Sequence, residues 1–264
     1  MADEIRGLWI GERLSTFERL CIRSFQAHGH PFRLFTYSDV KGVPEGTLVE
    51  DGNAILDETV LRRFQAPGAS LAHFADWFRW ELLRQRGGWW VDMDLVCVAP
   101  FRFDSEVVFG YQHPGGPAIG ALRFPAGHPL TVEMVDRSAN PTRLREGDSW
   151  RKKARKLYLR LTGDGHSKMR WAEGGGPLGF AEALRDVGGA EFGLPFTVFY
   201  PVHNQHWPHL FDETLEHDSD FYHDTVAVHL WNEIFRRHSP KGHDATFPPG
   251  SLFEQLKRRY LSGP

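Results

Sequence analysis

Apolar positions along this chain repeat in blocks, some with a period of two and some with the period of an amphipathic helix. Residues 6–10 and 32–37 are short apolar runs of strand type, and the segment between them reads as a helix ending near Ala27. Ser15, Thr16, Phe17 and Glu18 have the form of a capping box at its start, and Gly29, His30 and Pro31 follow its end. This strand–helix–strand opening predicts parallel strands with helices on both faces of a sheet. Residues 57–64 predict a short helix. Ser70 caps a stronger one over 71–86, with Leu71, Phe74, Ala75, Phe78 and Leu82 on one stripe.

An apolar strand follows Gly87 and Gly88, carries Asp92 and Asp94, and is expected to end at Pro100. Residues 106–111 and 118–124 predict two strands joined by a Gly/Pro-rich turn, and 128–138 a helix. A very basic helix is expected over 149–161 and a glycine-rich loop over 173–179. A helix over 180–187, strands over 197–202 and 225–230, and a terminal helix over 251–261 complete the reading. No repeat or low-complexity linker divides the chain, so residues 1–264 are expected to form one α/β domain.

Side chains alternate along a strand, so Asp92 and Asp94 are expected to point the same way. Two like charges beside an apolar strand repel each other and lose hydration, and a bound divalent cation is the simplest compensation. An Asp-x-Asp pair also leaves room on a hard cation for substrate phosphates. Read alone, the pair is more simply a solvated strand end, and it is the surrounding residues that favour the cation.

Composition narrows the classes. A formal charge of −3 argues against a nucleic-acid binder. Cys21 and Cys97 lie in apolar stretches and read as reduced core residues. The chain opens without a signal-like segment, and no apolar run reaches the roughly 20 residues that span a bilayer. A cytoplasmic location is therefore expected. His203, His206 and His209 lie in a Pro-containing loop whose spacing does not suit a zinc site, and the segment reads as an acceptor-side loop. Arg151, Lys152, Lys153, Arg155 and Lys156 form a solvated positive face, with peripheral contact to anionic lipid head groups as the alternative. Lys257, Arg258 and Arg259 could add to that face.

Several of these features combine. Trp9-Ile10-Gly11 and Phe35-Thr36-Tyr37 end the first two strands. Asp76-x-x-Arg79, Leu82-Leu83, Gly87-Gly88 and Val91-Asp92-x-Asp94 follow. Together they resemble the Asp-x-Asp sugar-binding region of glycosyltransferase family 32, across about the first 100 residues. Gly176-Pro177 and His229-x-Trp231 extend the likeness more weakly.

The resemblance implies a GT-A fold, a Rossmann-like mixed sheet flanked by helices. It implies a retaining transfer of sugar from a nucleotide donor, a UDP-sugar in the first instance, with manganese or magnesium. The acceptor would be a glycan or a lipid-linked hydroxyl in surface polysaccharide synthesis, with peripheral contact at the inner membrane face. Residues 1–100 would be the nucleotide-sugar half, and 101–264 the acceptor side with a late metal- and diphosphate-binding segment.

Residue by residue, Asp94 would be the main metal ligand, and Asp92 would reach donor ribose or sugar and the metal's water shell. His229 would complete the metal shell, with Trp231 and Asn232 facing the diphosphate. Asp76 and Arg79 would grip donor hydroxyls, Trp9, Ile10, Gly11 and Tyr37 would line the base side, and Gly88 and Gly175 would let the donor approach closely. Catalysis would rest on Asp92, Asp94 and Arg79, with the leaving phosphate oxygen accepting the acceptor's proton.

Two other classes compete. Asp92-x-Asp94 after an apolar strand also fits the first motif of a haloacid-dehalogenase-like phosphatase, with Asp92 as the phosphoryl nucleophile. That motif normally opens a chain, and no paired acidic metal motif follows here. The third class is a non-catalytic sugar-nucleotide binder, against which the intact Asp92 and Asp94 argue. The donor sugar, the linkage and the oligomeric state have no sequence code.

Overall fold

The computed structural model describes residues 2–262 apart from 66–68, 164, 167, 169, 171 and 216–220. Strand β1 (Ile5–Leu8), helix α1 (Thr16–Ala27) and strand β2 (Phe32–Thr36) form the expected opening unit, and β1 pairs β2 in parallel. The capping box is complete: the Ser15 side chain accepts from the helix backbone, and Glu18 Oε2 accepts from Ser15 N at 2.6 Å. A third parallel strand, β3 (Leu48–Asp51), lies at the edge beside β2. Its LVED sequence is mostly exposed and carries no alternation, which is why the apolar pattern does not announce it.

Helices α2 (Glu58–Phe64) and α3 (Leu71–Arg86) start on Asp57 and Ser70 caps. Gly87 ends α3 at φ +61°, a conformation that favours glycine. Strand β4 (Gly88–Val91) follows at once. The single strand expected through to Pro100 is instead two. After β4 the chain turns through Asp92, Met93 and Asp94, with Leu95 N donating to Asp92 O at 3.1 Å, and re-enters as β5 (Leu95–Cys97). Strand β4 pairs antiparallel with a later strand and β5 joins a different sheet, so the turn is where the chain changes partners. Asp92 and Asp94 therefore share a side because of a turn rather than strand alternation.

Strands β6 (Val108–His113) and β7 (Gly116–Phe124) form the expected hairpin, and β7 pairs β4 antiparallel. Helices α4 (Pro129–Ala139), α5 (Trp150–Thr162) and α6 (Pro177–Val187) follow. Helix α6 starts earlier than the pattern implies, because proline at the first helical position is pre-set for the helix. A two-residue strand β8 (Gly193–Leu194) runs parallel to β6.

The strand expected over 197–202 is instead the single-turn helix α7 (Phe196–Phe199), with Tyr200 N donating to Phe196 O. Its start behind Pro195 buries Val198 and Phe199 together, so helical spacing serves the core better than alternation. The last strand shortens to β9 (Ala227–His229), antiparallel to β5. Helices α8 (Asn232–His238) and α9 (Leu252–Tyr260) close the chain.

The sheets separate two cores, as strand alternation requires. Leu34, Trp89 and Val91 face α1 and α9, whereas Phe35, Trp90 and Leu122 face α3, α4 and α6. This is a mixed α/β architecture with helices on both faces. Cys21 and Cys97 are buried and free.

Gly87 couples the site-bearing turn to α3. A Cβ there would sit 2.5 Å from Ala126 N and 3.0 Å from Phe124 O, both backbone atoms. Gly87→Ala is expected to lower unfolding free energy by roughly 1–3 kcal/mol. Denaturant unfolding with an unchanged midpoint would contradict this.

Candidate functional site

The turn between β4 and β5 meets α3 on one side and the β9–α8 junction on the other. Asp76 and Arg79, one helical turn apart on α3, form an ion pair at 2.8 Å, and Arg79 reaches on to Asp92 at 2.5 Å. The Arg79 side chain is only 5% exposed and its guanidinium lies 5.0 Å from the Trp90 ring centroid. Burial opposes its charge, and Asp92 and Asp76 more than restore it. Trp90 Nε1 donates to the same Asp92 oxygen at 2.9 Å, so Oδ1 is fully engaged.

Asp94 belongs to the opposite wall. Its Oδ2 accepts from Asn232 N at 2.8 Å, and its Oδ1 lies 3.3 Å from His229 Nε2. That geometry depends on Trp231, which sits at φ +55° with its indole N–H donated to Val202 O at 2.9 Å. A non-glycine residue in this region is uncommon and is held by its surroundings. Trp231 packs tilted against His229, with ring centroids 4.4 Å apart. Trp231 N donates to His229 Nδ1 at 3.1 Å; by this hydrogen-bond assignment the neutral imidazole carries its proton on Nε2, towards Asp94.

Asp92, Asp94 and His229 each present one ligand atom, and the three atoms lie within 4.8 Å of one another. The charge balance fits a cation. Burial pushes Asp76 up to about 6, against the pull of Arg79, and the charge on Asp92 pushes it the same way. Burial likewise raises Asp94, and the attraction of His229 only partly offsets it. Burial that disfavours the charged forms of Asp76 and Asp94 is relieved by a cation bound beside them. Asn232 Oδ1 is buried without a hydrogen-bond partner, an unsatisfied acceptor on the segment that receives Asp94. Oxygen-rich ligands with one imidazole suit manganese or magnesium-type ions better than a thiophilic metal.

Two residues that the sequence pattern does not mark complete the floor. Gly120 in β7 accepts from Asp92 N at 2.8 Å through its carbonyl. A Cβ there would meet the Tyr200 hydroxyl at 3.1 Å, Asp92 Oδ2 at 3.2 Å and His229 Cδ2 at 3.4 Å. Tyr200 is buried against His229, and burial with the nearby Asp92 charge pushes its phenol well up, so it stays protonated. Gly120 sits in a continuous apolar strand, where only its missing side chain is informative.

The other candidates lie nearby or elsewhere. Gly175 touches the site through α3: a Cβ there would sit 3.1 Å from Asp76 Cβ, and its carbonyl accepts from Trp80 Nε1 at 2.6 Å. Gly88 lies against the Arg6 guanidinium at the amino end of β4. Trp9 and Gly11 are in contact at the end of β1, where Trp9 Nε1 is buried without a partner, and Ile10 packs against the α3-side core. The Tyr37 hydroxyl donates to Leu56 O at 2.5 Å and its ring packs on Phe74, Phe78 and Gly52, which makes it a brace for the 52–56 turn. Along a short 3-10 helix His206 stacks on His209, and His203 meets His206 edge-on. The one metal-competent cluster among the described residues is the Asp92–Asp94–His229 set.

Residues 192–260 match the family model described as the alpha 1,4-glycosyltransferase conserved region. The matched stretch carries β9, Trp231 and α8, the wall that receives Asp94, and the match supports a glycosyltransferase. No curated protein matches the chain. Among solved structures it is similar to a chain titled "PaToxG Glycosyltransferase", 14% identical, with a TM-score of 0.47 over 71% of this chain and 69% of that one. It is also similar to a transferase solved as a double cysteine-to-serine mutant, 11% identical, with a TM-score of 0.33 over 61% of this chain and 85% of that one.

Asp76 gives the site a pH signature. The folded chain holds the Asp76 proton more tightly than the unfolded chain, so its ionisation destabilises the fold as pH rises from about 3.8 to about 6. Asp76→Asn removes that term. The stability of the wild type relative to this variant is expected to fall by roughly 1–3 kcal/mol across that window. Parallel stability curves from pH 3.5 to about 7 would contradict the assignment.

Proposed function

We propose that this chain is a metal-dependent, retaining glycosyltransferase of GT-A type that moves a sugar from a nucleoside diphosphate donor, a UDP-sugar, to a hydroxyl acceptor. The observation that carries the reading is the convergence of Asp92, Asp94 and His229 within 4.8 Å, with the Arg79 fork beside them. The alpha 1,4-glycosyltransferase match over 192–260 supports transfer rather than phosphoester hydrolysis. On this reading the acceptor is a glycan or lipid-linked hydroxyl of a surface polysaccharide, met by a cytoplasmic protein at the inner membrane face.

Asp92, Asp94 and His229 would hold the cation. A manganese or magnesium ion held there supplies Lewis-acid neutralisation of the diphosphate leaving group. To offer Nε2 to a cation, His229 would carry its proton on Nδ1 and lose the bond from Trp231 N. Arg79 keeps a planar, permanently charged donor at the Asp92 side, suited to donor hydroxyl and phosphate oxygens. Asp76 fixes that guanidinium and accepts from a sugar hydroxyl with its second oxygen. No side chain is assigned as a covalent nucleophile: positioning and electrostatics let the acceptor attack from the face the leaving group departs.

With manganese and a panel of UDP-sugars, Asp94→Asn is expected to lower transfer or donor hydrolysis by roughly a hundredfold or more while leaving the thermal midpoint within a few degrees. NMR of the product should show the donor's anomeric configuration retained. Wild-type turnover in Asp94→Asn, or an inverted product, would overturn the reading.

A further inference from the structure

Helix α5 is amphipathic in the reverse sense from a packed surface helix. Three of its six charged residues face the protein: Lys156 pairs with Asp148 at 2.7 Å, Lys152 with Glu182 at 2.5 Å and Arg155 with Glu173 at 2.6 Å. Apart from the buried Leu159, its large apolar residues face out. Trp150 is 74% exposed, Leu161 78%, Tyr158 59% and Leu157 48%. At 100° per residue these four fall with Ala154 on one stripe, about 100° wide, running the length of the helix.

The stripe has a basic rim. Arg151 borders it on one side, and Lys153 and Arg160 on the other; all three are exposed and none is paired with a carboxylate among the described residues. Arg151 stacks on the Trp150 ring at 5.3 Å, and Arg160 donates to Thr142 O. The helix itself has no acidic residue, although the whole chain is net negative at −3. The local charge therefore opposes the global one.

We propose that the outer face of α5 is an interfacial helix that lies in the surface of an anionic bilayer. Trp150, Leu157, Tyr158 and Leu161 would enter the headgroup–acyl boundary, and Arg151, Lys153 and Arg160 would meet lipid phosphates. The uniformly basic rim suits an anionic lipid surface: a protein partner of ordinary mixed charge would bring its own basic groups against Arg151, Lys153 and Arg160 with no acid on this helix to receive them. Trp and Tyr are suited to this boundary because each joins an apolar ring to a polar N–H or O–H. The inward ion pairs leave the outward stripe as the part of the helix without protein cover. The Arg155–Glu173 pair also ties α5 to the loop that brings Gly175 against Asp76, so a docked helix holds the candidate site beside the surface. No described helix is long and apolar enough to cross a membrane, so this contact is peripheral.

The test is co-sedimentation of the full chain with vesicles of phosphatidylcholine alone and of phosphatidylcholine mixed with phosphatidylglycerol, at low and high salt. Binding is expected to the anionic vesicles and to weaken with salt. The variant Trp150→Ala with Leu161→Ala should partition roughly tenfold less, and Arg151→Glu with Lys153→Glu should lose the anionic preference. Both pairs are exposed, and unchanged thermal unfolding would confirm that the fold is intact. Equal sedimentation with and without vesicles, or binding that these variants leave untouched, overturns the proposal. So does a dimer in solution that Leu161→Glu dissociates, which would give the face to a second copy.

Discussion

The guanidinium of Arg79 holds the candidate site together. It is buried between Asp76 on its own helix and Asp92 on the turn after β4, and it lies over Trp90, which donates to the same Asp92 oxygen. Taking this charge out of water is costly unless every partner is in place. The position of α3 against the sheet, the sharp exit of the chain at Gly87 and the direction of the turn all serve that one contact. Removing the guanidinium would leave Asp76 and Asp92 without their shared counter-charge.

The second constraint is that the site is over-supplied with acid. Arg79 offsets one carboxylate, and Asp76 and Asp94 are both pushed up by burial. A protein site built this way is poised for a positive ligand rather than for internal neutrality. The wall that meets Asp94 comes from far along the chain. Trp231 in a left-handed backbone conformation aims Asn232 N–H at Asp94 and sets the tautomer of His229. The early turn supplies the carboxylates, and the late segment matched to the alpha 1,4-glycosyltransferase region closes over them.

Much of this was legible in the residues. The capping box at Ser15, the Ser70 cap and the apolar stripe of α3 are local signals, and local hydrogen bonding decides them. The grouping of Asp76, Arg79, Asp92, Asp94 and His229 was legible through the family resemblance, since no spacing in the chain itself joins His229 to the early motif. What escaped depends on tertiary neighbours. Asp92 to Leu95 turns because β4 and β5 belong to different sheets, which a continuous apolar run does not reveal. Residues 197–202 read as a strand, but the segment behind Pro195 buries Val198 and Phe199 by coiling. Gly120 matters through an absent side chain, and Tyr200 through a site assembled by three distant segments. The basic character of α5 was visible, whereas the inward turn of its charges required the acids of α6 and the 148–149 turn.

The most direct measurement is anomalous scattering from crystals grown with manganese and UDP. The account predicts an anomalous peak among Asp92, Asp94 and His229, with the His229 ring released from Trp231 N. Absence of that peak, with Asp94 still held by Asn232 N–H and Asp92 by Arg79 alone, would contradict it.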